Sequence, residues 1–206
     1  MHILRVATVY DPDVRELPRE LRSALTKQDV KAIRTGPEFF AGLADRAKAK
    51  WLRRVLRECA GSLFELQFCA SDDGPYRPYY RFYWGGEPAI SLPRQGRLRA
   101  GMPAFLRHVY GVIGAFRENA FDMAGGLLPE DELVPISETG MWVEPGGPIE
   151  PEAAIRFLET FSGSQLCFLP DGTGAWLEEG GQFRQVKSLE REVARYFEAL
   201  LKGSRI

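Results

Sequence analysis

Carboxylates in turns are the side chains of this sequence whose clustering could do chemistry. Glu130, Asp131 and Glu132 sit in GGLLPEDELVPISE (125–138), Glu178 and Glu179 in QLCFLPDGTGAWLEEGGQFRQV (165–186), and Asp171 in the turn of that same run. Paired carboxylates can move protons, but only in a geometry that a sequence does not reveal, and acidic turns are commonly solvated loops. Other catalysts lack their parts. His2 and His108 are the only histidines, so a His-based metal site or a Ser/His/Asp or Cys/His catalyst has little to draw on. There is no phosphate-binding Gly-rich loop, no GxGxxG after a strand, no GxSxG elbow and no HExxH. Asp72-Asp73-Gly74 opens like a calcium loop, yet the later ligands are missing. The expectation is a chain with no catalytic residue, no metal and no cofactor.

Charge offers a second lead. Residues 1–117 hold 20 Lys+Arg against 12 Asp+Glu, a balance of +8, and residues 118–206 hold 7 against 16, a balance of −9. Such halves can dock on one another, or the acidic half can steer a basic partner. Cys59, Cys69 and Cys167 form no CxxC pair and read as reduced, buried thiols. The start, MHILRVATVY, lacks the pattern of a secretory leader, and no apolar run approaches a membrane span. A cytoplasmic protein with no membrane partner is expected.

Elements must position these groups. Ile3–Tyr10 reads as a strand, Pro18–Lys27 as a short helix and Val30–Thr35 as a second strand. Thr35-Gly-Pro-Glu38 resembles a capping box opening one long helix to Cys59, with Leu43, Ala47, Trp51, Leu52, Val55 and Leu56 on its apolar side. Arg46, Lys48, Lys50, Arg53, Arg54 and Arg57 occupy the other side and make it the most basic element. Phe64, Leu66 and Phe68 alternate as a strand, followed by the aromatic strand Tyr79–Trp84. A basic connector, RQGRLRAGMP, suggests a boundary near residue 98 between an N-terminal portion, 1–98, and a core, 99–206, although the two portions could share one domain. A helix from Pro103 carries Phe105, Val109, Val112, Ile113 and Phe116 on one stripe, and His108 lies off it. A helix at 151–161, a hairpin through Pro170–Gly174, a turn at Gly180-Gly181 and a Ser188-capped helix complete the chain.

The order of MPAFLRHVYGVIGAF (102–116), GGLLPEDELVPISE (125–138), SGSQLCFLPDGTGAWLEE (162–179) and SLEREVARYFEALL (188–201) resembles the SUKH superfamily. In that family an apolar–aromatic helix ending in Gly precedes a Gly-Leu-Leu-type segment, an acidic hairpin and a closing helix. The resemblance covers roughly half of the chain. Ile113-Gly114 stands where the family has Asn-Gly, and Leu189 where it has an aromatic. The resemblance implies an α+β fold, with a mostly antiparallel sheet of about six strands flanked by helices. It also implies binding and not catalysis, because the family is best known for bacterial immunity proteins that neutralise polymorphic toxins; it includes a yeast regulator of cell-wall synthesis.

On that reading the partner is a cognate toxin, a nuclease or other basic effector, met by Glu130, Asp131, Glu132, Asp171, Glu178 and Glu179, with Trp142 and Trp176 as candidate aromatic anchors. At least one of the two tryptophans is expected in the core instead. The alternatives are a scaffold or regulatory module on the same fold, a carboxylate enzyme, and a nucleic-acid binder using the helix 43–57. The oligomeric state is open.

Overall fold

Period-two hydrophobic alternation recurs along most of this chain, and the computed structural model gathers it into one sheet. It describes residues 5–10, 13–62, 64–70, 75–83, 88–94, 101–118 and 125–202. The expectations placed on His2, Ile3, Asp72-Asp73-Gly74, Trp84 and the connector at 95–100 lie outside these residues.

Ten strands follow one another in spatial as in chain order: β1 (Arg5–Val9), β2 (Phe64–Ala70), β3 (Arg77–Phe82), β4 (Ala89–Ser91), β5 (Ala115–Arg117), β6 (Gly126–Leu127), β7 (Ile155–Glu159), β8 (Gln165–Phe168), β9 (Gly174–Leu177) and β10 (Phe183–Val186). Every pairing is antiparallel. The fold is α+β as expected, but the sheet has ten strands and not about six. Two of the strands not foreseen are short, β5 with three residues and β6 with two, too few to print a periodic pattern. β4 pairs with β5 through Ala89↔Arg117 and Ser91↔Ala115, so strands from either side of residue 98 share one sheet.

Six helices accompany the sheet: α1 (Arg19–Ser23), α2 (Lys27–Thr35), α3 (Glu38–Arg46), α4 (Lys50–Ala60), α5 (Ala104–Tyr110) and α6 (Leu189–Leu201). Four expectations are corrected here. Val30–Thr35 is not a strand but the end of α2, started by a true capping box at Thr26 and Asp29 and stopped by Gly36 at φ 72°. The helix expected from Thr35 to Cys59 is two helices, broken at Ala47–Ala49, where the backbone turns extended. The Arg53 guanidinium donates to the freed Ala47 carbonyl at 3.0 Å, and His108 Nε2 accepts from the Lys48 N–H at 2.9 Å, so the break is satisfied by side chains. The helix expected at 151–161 is β7, because β6 and β8 supply backbone partners on both sides. The helix from Pro103 ends at Tyr110, so Ile113 and Phe116 are buried beyond it, Phe116 on β5.

One face of the sheet carries Leu66, Phe68, Tyr80, Phe82, Ile90, Phe116, Leu158 and Leu166 into a core shared with the helices. On α6, Leu189, Val193, Tyr196 and Phe197 face that core. The opposite parity is different: Cys69, Tyr79, Ala89 and Ala115 form a small cluster, and Ile136, Ala154, Cys167 and Leu177 form another under Met141, Val143 and Ile149. No helix among the described residues is long and apolar enough to cross a membrane.

Candidate functional site

The acidic turn Glu130–Glu132 is a 3₁₀ turn entered from Pro129. Two of its carboxylates are engaged although they remain exposed, Asp131 by 71% and Glu132 by 44%. Glu132 accepts from Arg117 Nη2 at 3.0 Å, and Arg117 is 5% exposed. Asp131 pairs with Arg77 of β3, and Arg156 donates to the Glu132 carbonyl at 3.3 Å. Burial raises the Glu130 carboxyl above its ordinary range, opposed by Arg77. The turn therefore compensates arginines standing on the sheet: Arg77 and Arg117 come from the basic half of the chain, Asp131 and Glu132 from the acidic half. Part of the charge asymmetry is internal docking.

Sequence reasoning missed these arginines. Register places Glu65, Arg81, Ala89, Arg117 and Gly126 in one transverse row on the face away from the helices. Arg81 bonds Glu65 at 3.0 Å with both side chains nearly enclosed. The signal was present: Arg81 lies between the core residues Tyr80 and Phe82, and Arg117 directly follows the core residue Phe116, so both point to the second face.

The second group of expected residues surrounds the β9–β10 hairpin, about four strand spacings, roughly 19 Å, from Arg117. Trp142 is 65% exposed. It is nonetheless positioned: Gly181, at φ 79°, leaves its Cβ position free, and a methyl there would come within 2.3 Å of the Trp142 ring. The Glu144 N–H donates to the Gly181 carbonyl at 2.9 Å, which ties the two segments. Glu178 accepts from Arg184 Nε at 2.6 Å across the hairpin, and Glu179 is exposed at its tip. Trp176 is the buried one of the pair, 8% exposed, and its indole N–H donates to Glu192 Oε2 at 3.2 Å. Beside it lies an open hollow of about 490 Å³ lined by Thr160, Ser162, Ser164, Glu178, Arg184 and Glu192.

Asp171 lies in the turn at the other end of β9. Its Oδ1 accepts from the Thr173 hydroxyl at 2.6 Å and the Thr173 N–H at 2.9 Å, and these bonds hold its carboxyl below the usual range. It shapes the β8–β9 turn with Gly172. The eight expected site residues thus fall into separate places: Trp176, Glu178 and Glu179 border one hollow, and Trp142 meets the hairpin at Gly181.

Among the described residues no group of three or more His, Cys, Asp or Glu could hold a metal. His108 is engaged with the Lys48 backbone. The three cysteines are buried and form no disulfide. Burial pushes the Cys69 thiol up to about 11, against the pull of Arg117, and the Cys167 thiol up to about 12, against Arg156. The sign follows: both thiols hold their protons longer in the folded state, so their contribution is complete below the ordinary thiol value of 9.0 and is lost as pH rises through 11–12. A thiol reagent such as DTNB at pH 8 is expected to leave both unmodified over minutes in the native protein and to react with all three cysteines once the chain is denatured. Rapid native labelling of Cys69 or Cys167 would refute this.

No family model matches the chain, and neither a curated protein nor a solved structure matches it.

Proposed function

We propose that this chain is a non-enzymatic protein-binding module of the immunity type, receiving a basic partner on the β9–β10 hairpin. The observation that carries the reading is Trp142: a large aromatic, mostly in water, yet seated on Gly181. Burial of an exposed tryptophan is among the largest single contributions available at an interface, and a side chain already held in place loses little entropy on binding. Glu144 and Glu179 supply the negative field that speeds encounter with a cationic surface, Glu178 being held by Arg184.

The expected interface is therefore narrower than the acidic half as a whole. Glu130, Asp131 and Glu132 leave it, because two of them are engaged with Arg77 and Arg117. Asp171 leaves it as well, being a turn former at the far end of β9.

Growth rescue tests the reading. Co-expression with the product of the adjacent reading frame is expected to relieve that product's toxicity. Trp142→Ala combined with Glu179→Lys is expected to abolish the relief without loss of folded protein. A harmless neighbour, or relief that survives both substitutions, would contradict it.

A further inference from the structure

The basic side of α4 is not used by the hairpin reading and is not neutralised by ion pairs among the described residues. Lys50, Arg53, Arg54 and Arg57 border an open groove of about 480 Å³ between α4 and the C-terminal half of α6. None of the four takes part in an ion pair among the described residues. The two carboxylates on the groove wall, Glu58 and Glu198, leave a local excess of positive charge.

Two features make this more than a solvated helix face. Arg53 is held in place, its Nε and Nη2 donating to the Ala47 carbonyl at 3.3 and 3.0 Å, so one guanidinium is oriented before any ligand arrives. Trp51 lines the same groove, is 5% exposed, and its buried indole N–H has no acceptor. At the N-terminus of α4, Ala49 provides no side-chain cap, so first-turn N–H groups remain as additional donors near Lys50.

The chemistry of the ligand follows from what the groove offers. Guanidiniums match the oxygens of phosphate with paired hydrogen bonds and keep their charge at any ordinary pH. From Lys50 to Arg57 the cations extend along α4 for about 10 Å, room for successive phosphates and not only one. No ring face is free to stack a base, because Trp51 lies flat against Phe197 at 4.4 Å and 11°. Recognition here would read phosphates and not bases.

We propose that the α4–α6 groove binds a ligand carrying successive phosphate groups. That chemistry is shared by a single nucleic-acid strand and by a free oligophosphate. The proposal stands apart from the hairpin reading, and Trp142→Ala is expected to leave it untouched.

Fluorescence anisotropy of the full chain with a labelled thymidine strand of about 12 nucleotides tests it. Neutralisation of three to four phosphates predicts a log–log salt slope of roughly −2 to −3 between about 50 and 200 mM salt. Arg54→Glu with Arg57→Glu, both exposed positions, should weaken binding by about tenfold or more at the lower salt. Glu58→Gln with Glu198→Gln should tighten it a few-fold, a gain that misfolding does not produce. Displacement by inorganic tripolyphosphate at equal phosphate concentration would assign the site to a free oligophosphate, and failure to displace a bound strand would assign it to the nucleic-acid backbone. The proposal is overturned if the strand fails to bind at the lower salt, if the arginine variant binds like the parent, if polyglutamate competes equally, or if Trp142→Ala removes the binding.

Discussion

Phe197→Ala is expected to cost about 3–5 kcal/mol of folding stability, at the top of the range for truncating a buried side chain. Phe197 is fully buried on α6 and touches three different aromatic rings. It stacks on Trp51 of α4 at 4.4 Å, meets Phe116 of β5 edge-on at 4.9 Å, and meets its neighbour Tyr196 edge-on at 5.2 Å. Removing the ring leaves a cavity that stiff aromatic neighbours cannot close, so the transfer loss and the cavity loss add. For a chain of this size the melting temperature should fall by about 10 °C or more. The consequence reaches both candidate surfaces. The N-terminal turns of α6 place Glu192 beside Trp176, and its C-terminal half borders the basic groove. Chemical unfolding of the purified variant measures the effect. A loss below about 1 kcal/mol would mean that the α4–α6–β5 contact is not a rigid part of the core.

Glu132→Ala is expected to cost about 3 kcal/mol, and to do so without weakening partner binding by the folded protein. Arg117 is buried, and Glu132 is the carboxylate that accepts from it at 3.0 Å, so truncation strands a guanidinium in an enclosed place. The lower end of the usual range applies because the Glu132 side chain is 44% exposed and water can partly replace it. Thermal unfolding should shift down by roughly 6–12 °C. Replacing both partners by apolar residues, Arg117→Met with Glu132→Leu, should recover most of the loss, since no charge is then stranded. If Glu132→Ala instead leaves stability intact and weakens partner binding, the acidic 3₁₀ turn belongs to the interface after all and the narrowed site is wrong.

Elements specified by their own residues are legible in the sequence. The Ser188 cap, the apolar stripe Leu189–Val193–Phe197, the β8–β9 and β9–β10 turns and the apolar face of α4 all appear where the residues place them. Residues 151–161 carry a good helix start in Pro151, yet the backbone bonds offered by β6 and β8 outweigh that local preference and make Ile155–Glu159 a strand. Residues 30–35 fail in the other direction: their β-branched composition suggests a strand, and the capping box four residues upstream decides for helix. The site was half legible for a related reason. Glu178 and Glu179 are placed by the β9–β10 turn itself, while Trp142 reaches the hairpin only through the contact at Gly181. The destination of Asp131 and Glu132 depends on Arg77 and Arg117, which reach them only through the pairing of β3, β4 and β5, and a long-range pairing leaves no mark in the turn itself.

Isothermal titration of the product of the adjacent reading frame against the wild-type chain and against Trp142→Ala is the most direct measurement of the central claim, that the β9–β10 hairpin with Trp142 is the recognition surface. Wild type is expected to bind. Trp142→Ala, melting close to wild type because the ring is mostly in water, is expected to bind at least about 30-fold more weakly, equivalent to about 2 kcal/mol. Equal affinities for the two proteins would contradict the claim and move the recognition surface away from the hairpin.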